Sequence, residues 1–305
     1  MLNKLQIRDI RSLQIFTEVV DSGGISAAQD SLGMTQSNIS AQLLDLETRL
    51  GAKLCDRGRA GFRVTEEGAE VYATTRSLLA DLADYQDRLQ SIGSGLRGEL
   101  LIGHMDHYLS HPEGKLVDAL QHVAGLSADI YFNLRTASME SLQHALANSD
   151  IQLAIGTFTT FDGAVEYYEI HQEQQILCCS GEHPLVQEIG EPSRAQVASA
   201  GYARALYGYG QDSEVLDNCL ATVHQVESMT AFILSGRGVG YIPDHVARPF
   251  IHSGHMVNLL PDEFAASLPV YLAVRIKSLE SPLVERFVRL FLGLSGISFD
   301  QTKGA

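Results

Sequence analysis

The amino-acid sequence predicts an α/β chain made of a small helical head, a long helical rod and a two-lobed α/β body. Three observations lead there. Residues 26–65 read as a helix, a tight turn, a second helix and a short hairpin. Residues 71–92 place side chains at alternating spacings of four and three. Beyond residue 98, strand-like runs alternate with amphipathic helical ones, the pattern of a largely parallel sheet covered by helices.

The head begins with residues 10–20, where Leu13, Phe16, Val19 and Val20 share one helix face that ends at Gly23 and Gly24. Ser26 and Gln29 form a capping-box pattern for the next helix, which carries Ala27, Ala28 and Leu32. Gly33 suits the sharp turn that follows, and Thr35 can cap the helix after it. That helix turns Ile39, Leu43, Leu46 and Leu50 inward. Its first turns are left with Gln36, Ser37, Asn38, Ser40 and Gln42. A polar turn can be only a solvated face, but amide side chains can also bond adenine at N6 and N7, and serine adapts to bases or phosphates. Arg57, Arg59 and Arg63 then punctuate a glycine-bearing hairpin, as cations suited to phosphate or minor-groove contact. The expectation is a DNA-binding head, with Thr35 at the tip of the inserted helix.

Thr65 caps the rod, and Glu66 and Glu67 favour its positive N-terminal end. Val71, Thr75, Leu78, Leu82, Tyr85, Leu89 and Ile92 form a heptad seam along roughly 40 Å at ~1.5 Å per residue. A one-sided rod of this length is expected to dimerise rather than lie alone. Gly93, Ser94, Gly95 and Gly98 make the linker.

In the body the order reads ELLIG, a helix near residues 114–123, SADIYFNL, a helix at Met139–Ala147, IQLAIG, VEYYEI, QQILCC and HPL. PVYLAVRI returns a strand toward the first lobe, and residues 283–292 close the chain as an amphipathic helix. The expected division is a head over 1–65, a linker helix over 66–94, and a body over 95–305. Lobe I takes about 95–164 and 265–305, and lobe II about 165–264.

The net charge of −15 divides unevenly, +1 over residues 1–65 and −16 over the remainder. An acidic body beside a locally basic tip would turn only the tip toward DNA; acidity also keeps a body soluble, and both readings can hold. No apolar run reaches the ~20 residues that span a bilayer, and the first ten residues lack an apolar signal core. The expectation is a cytoplasmic protein with no membrane contact. Cys55, Cys178, Cys179 and Cys219 show no metal-type spacing, and the adjacent pair sits in a strand-like run as small core residues. No serine elbow, phosphate loop, dinucleotide loop or HExxH motif is present, so an enzyme is not expected.

The run AAQDSLGMTQSNIS, then LETRLGAKL, Arg57 and VTEEG, resembles the winged helix-turn-helix of LysR-type transcriptional regulators over about sixty residues, with Cys55, Gly24 and Ala41 as departures. The resemblance extends to the body through Ile102 to Tyr108, DIQLAIG, HPL and SGRGVGYIP. It implies a linker-helix homodimer that pairs into tetramers, an operator of two half-sites on double-stranded DNA, and RNA polymerase as a candidate further partner. It also implies a periplasmic-binding-protein-like effector domain that takes a small molecule, often an organic or aromatic carboxylate, and no cofactor.

On that mapping the effector residues are His104, Asp106, His107 and Tyr108, then Thr157 and Phe158, and from lobe II Tyr202, Arg204, Val226 and Glu227, with Ser110, Gly156, Tyr207 and Tyr209 nearby. Arg204 could clamp a carboxylate in two-pronged fashion, and the start of the helix at Val226 favours anions. His104, His107 and His111 with Asp106 invite a metal reading, but a strand end and Pro112 keep them off one helical face, so no metal site is expected. A redox-sensing regulator and a solute-binding α/β protein remain the competing readings.

Overall fold

The computed structural model describes residues 6–58, 61–91, 96–187, 192–206 and 218–299. It contains two compact units, residues 1–86 with 148–150, and residues 87–147 with 151–305.

The first unit runs α1 (Ile7–Asp21), α2 (Ala28–Leu32), α3 (Gln36–Leu50), β1 (Cys55–Gly58), β2 (Gly61–Val64) and α4 (Glu66–Ser91), the last continuing five residues into the second unit. Phe16, Val19, Ala28, Ile39, Leu43, Leu46 and Leu54 bury a common core, so the stripe on α3 faces where its spacing directs. Ser26 does not form the expected capping box. The helix starts only at Ala28, and Gln29 Nε2 donates to the Ser26 carbonyl at 3.1 Å instead of accepting from its N–H. Gln29 spends its oxygen on α3, accepting from the Gln36 N–H at 3.2 Å, while Thr35 Oγ1 accepts from the Asn38 N–H. One side chain thus ties the turn to the helix that follows.

The hairpin is fixed to α3 by Glu47, whose Oε1 accepts the backbone N–H of Leu54 at 2.9 Å and of Cys55 at 3.3 Å. Two glycines are required by shape. Gly24 has φ +148°, and an added Cβ would lie 3.3 Å from Phe62. At Gly68 a Cβ would fall 2.0 Å from the Leu54 carbonyl oxygen, so the first turn of α4 can approach the hairpin only without a side chain there. Thr65 caps α4 as expected, accepting from the Gly68 N–H at 3.0 Å. Along the seam Val71 packs on the head, whereas Tyr85 and Leu89 are half exposed, at 51% and 50%. Ile92 and the linker residues Gly93, Ser94 and Gly95 lie outside the described residues.

The second unit opens with β3 (Gly98–His104), a 3-10 turn at Tyr108–Ser110, α5 (Leu116–Ala124), β4 (Ile130–Thr136), α6 (Met139–Ala147) and β5 (Leu153–Gly156). It continues through β6 (Val165–Ser180), α7 (Pro184–Gln187), α8 (Arg194–Ala198), β7 (Gly201–Ala205) and β8 (Asn218–Val223). It ends with α9 (Val226–Leu234), β9 (Gly240–Pro243), α10 (Asp244–His252), β10 (Met256–Asn258), β11 (Ala266–Arg275) and α11 (Pro282–Leu294).

Two features differ from expectation. VEYYEI and QQILCC are one strand, β6, because His171, Glu173 and Gln175 between them turn to the buried side and carry the pairing with β11 across the gap, with a bulge at Ile170. The large sheet is mixed rather than largely parallel. β3 pairs in parallel with β4 and β5, but the crossing strands β6 and β11 run antiparallel to their neighbours. The first stretch of β6 pairs with β11, and its end pairs with β9 and β10, so one strand serves both lobes. Lobe I packs α5, α6 and α11 around β3, β5 and β11. In lobe II successive residues of β6 divide between two cores, Ile176 and Cys178 in one, Leu177 and Cys179 in the other.

Candidate functional site

On the head, burying Ile39, Leu43 and Leu46 forces the opposite face of α3 outward. Thr35, Gln36, Ser37, Asn38 and Gln42 are exposed, and Ser40 is half-buried. Gln42 is steadied from α1, its Oε1 accepting from Ser12 Oγ at 3.1 Å. Arg63 is exposed on β2 opposite Asp56, and Arg57 sits opposite Phe62 in the same ladder. Arg59 lies outside the described residues. A polar helix tip and the arginine-bearing hairpin therefore belong to one compact unit, an arrangement that can enter a groove and grip its phosphates.

In the body the turn after β3 is centred on His107, whose backbone is left-handed at φ 54°. Its Nδ1 meets Asp106 Oδ1 at 3.2 Å and its Nε2 meets Glu173 Oε1 at 3.0 Å. Asp106 reaches into lobe II, where its Oδ2 accepts from the Val226 N–H at 2.8 Å at the start of α9. Glu173 is held from behind by Gln175 Nε2 at 2.6 Å. Burial opposes charge on His107, yet the hydrogen bonds to Asp106 and Glu173 prevail and lift its pKa to about 9. Burial would raise Asp106, but His107 and the backbone N–H groups of Val226 and Glu227 hold it below the usual carboxylate range. Three further rings surround the turn. His111 stacks on His171 with centroids 4.0 Å apart, and His245 lies 4.8 Å from His111 and 5.6 Å from His107. Burial keeps all three neutral more strongly than usual, with His171 lowered to about 4.

A small cavity beside this turn is lined by Asp106, His107, Thr157, Glu173, Gln175, Ser138 and others. It has room for roughly one water.

The expected effector residues therefore separate. Asp106, His107 and Thr157 share the cavity, and Val226 and Glu227 face Asp106 through their backbone. His104 is buried, its Nδ1 2.8 Å from the Met105 carbonyl. Tyr108 and Phe158 belong to the core of lobe I and Tyr202 to that of lobe II. Arg204 is exposed on β7, while Tyr207 and Tyr209 fall outside the described residues. Sequence reasoning misses Glu173, Gln175 and His245, because no spacing rule ties residues of β6 or α10 to a turn at least sixty-six positions earlier. Burial raises the thiols of Cys178 and Cys179 to about 12 and 11, the opposite of an activated thiolate.

A winged helix-turn-helix joined to a two-lobed α/β ligand domain defines the class, a ligand-responsive DNA-binding protein. Comparison with known proteins places it further. The family model "LysR substrate binding domain" matches residues 93–294, and "Bacterial regulatory helix-turn-helix protein, lysR family" matches residues 10–69. The chain is 30% identical to the HTH-type transcriptional activator BauR of Pseudomonas aeruginosa over 286 residues, 92% of this chain and 93% of that protein. Its fold is similar to full-length LysG of Corynebacterium glutamicum with bound effector Arg, with TM-score 0.58, 19% identity and coverage of 95% and 99%. It is also similar to full-length CbnR complexed with its target DNA, with TM-score 0.62, 18% identity and coverage of 93% and 99%. The chain belongs to the LysR family. It is a DNA-binding transcriptional regulator with an effector-binding domain, and not an enzyme. Among the described residues no helix is long and apolar enough to cross a membrane.

Proposed function

We propose that residues 1–65 read a two-half-site operator, that residues 66–94 pair two chains into a homodimer able to assemble into tetramers, and that residues 95–305 sense a small carboxylate in the cytoplasm. The observation that carries the DNA reading is the exposed polar tip of α3 backed by a fully buried stripe. Gln36, Ser37, Asn38, Ser40 and Gln42 meet base edges and phosphates from that tip, with Thr35 at its entry and Arg57, Arg59 and Arg63 on the flanking backbone. Exposed Tyr85 and Leu89 on the heptad seam support pairing of two α4 helices.

The anion reading rests on Asp106. Its carboxylate already occupies the positive end of α9, the place an effector carboxylate would take. An effector would displace Asp106, open the cavity at Thr157 and Ser138, and change the angle between the lobes. Footprinting of DNA flanking the gene tests the whole reading. Protection of two half-sites about one or more helical turns apart, altered by the effector, is expected. Absence of any protected site would refute it.

A further inference from the structure

The cleft also brings together side-chain donors whose arrangement goes beyond DNA binding and anion capture. His107 Nε2 and Glu173 Oε1 stand 3.0 Å apart, and donor atoms of His107, Glu173 and His245 all lie within 4.8 Å of one another. They come from three places, namely the turn after β3, the strand β6 shared by both lobes, and the first turn of α10. Glu173 is 2% exposed, and His245 Nε2 is buried with no hydrogen-bond partner among the described residues. We propose that His107, Glu173 and His245 form a binding site for a zinc-class transition-metal dication, which ties the two lobes together when bound.

Two imidazoles and one carboxylate are the donor set of open zinc sites, where the fourth position is left to water or an incoming ligand. Around tetrahedral zinc, with bonds of about 2.0–2.2 Å, donors stand roughly 3.4 Å apart. The His107 and Glu173 donors are already near that spacing, and His245 closes the set by moving inward by no more than about 1.4 Å. A site with one carboxylate is too poor in oxygen for calcium or magnesium. Each donor is oriented from behind. Asp106 holds His107 Nδ1, Gln175 holds the second oxygen of Glu173, and the His107 backbone bonds the His245 ring. His111 is not a ligand, because its Nδ1 accepts from the Glu113 N–H at 3.1 Å, so the neutral ring carries its proton on Nε2 and offers no lone pair there. Without metal, the His107 imidazolium supplies the positive charge between the two carboxylates. Binding a dication requires that proton to leave for solvent, one for each metal bound.

The test uses full-length protein stripped of metal by a chelator, titrated with Zn²⁺ against a chromophoric competitor and separately with Co²⁺. One zinc per chain is expected with a Kd below about 1 μM. His245→Ala and Glu173→Gln should each weaken binding by about 100-fold or more, while His111→Ala changes it by less than about 3-fold. The Co²⁺ complex should show the strong visible absorption of four-coordinate cobalt, lost in His245→Ala. About one proton should be released per zinc at neutral pH, measured by calorimetry in buffers of different ionisation enthalpy. Circular dichroism of each metal-free variant checks folding, with His245→Gln replacing an unfolded alanine variant. Wild-type binding weaker than about 1 μM, or a loss in His245→Ala matched by His111→Ala, overturns the site. Operator binding by the metal-free protein is measured alongside, so failure here and failure of the DNA reading are told apart.

Discussion

Asp106 and Val226, 120 positions apart, are joined by a 2.8 Å hydrogen bond from the backbone N–H at the start of α9 to a side-chain carboxylate at the end of β3. With the Glu227 N–H beside it, that contact bridges the two lobes and satisfies a helix terminus that would otherwise need water or a ligand. Asp106→Ala orphans both the Val226 N–H and His107 Nδ1. It is expected to lower stability by about 1–3 kcal/mol, read as a lower urea midpoint at an unchanged slope. An unchanged midpoint would show that the contact carries no weight.

His107 makes stability fall on the alkaline side. Its pKa rises from 6.5 unfolded to about 9 folded, so its contribution is complete below pH 6.5 and is lost as pH climbs through about 9. The groups facing it are Asp106, Glu173, His111 and His245, with His171 behind. The full swing is about 3 kcal/mol at most. Urea midpoints of metal-free protein between pH 6 and 9.5 should fall in the wild type (roughly that span of loss) and stay flatter in Glu173→Gln. Equal slopes in the two would contradict the assignment.

His171 does the reverse. Lowered to about 4 by burial, it stays neutral in the fold while the unfolded chain protonates at 6.5, so stability is lost as pH falls from 6.5 toward 4. His171→Phe, which keeps the ring stacked on His111, should lessen that acid loss. A steeper loss in the variant would count against it.

Arg63 and Gln36 are predicted to fail differently on DNA. Arg63→Ala should weaken binding to all sequences alike and reduce the slope of log affinity against log salt by about 1. Gln36→Ala should cost about 1–3 kcal/mol on the operator alone. Competition gel shifts with specific and random DNA at several salt concentrations separate the two.

Leu89→Glu places a charge on the exposed part of the heptad seam. The chain should remain folded but sediment as a monomer, and its operator affinity should collapse because two linked heads no longer bind together. A variant that still sediments as a dimer would move the interface elsewhere.

The head is legible in the sequence because its signals are local. Ile39, Leu43 and Leu46 lie within two turns, and Thr35 caps the helix it immediately precedes. Ser26 misleads for a non-local reason, since Gln29 is drawn away to the start of α3. The cleft is legible where it follows a strand end, at Asp106, His107 and Thr157, and at the helix start of Val226 and Glu227. Glu173 and His245 enter it by topology, through pairing of β6 with β11 and β9, which no spacing rule encodes. Tyr108 and Phe158 show the limit of reading strand ends as rims, because an aromatic side chain there can turn back into the core.

β6 runs sixteen residues, with one bulge at Ile170, and belongs to both lobes. The lobes are therefore joined not by a slack tether but by a leaf spring, whose hydrogen-bonded partner β11 must flex with it. A substitution that stiffens or loosens that ladder is expected to retune the regulator's response without touching either the ligand or the DNA.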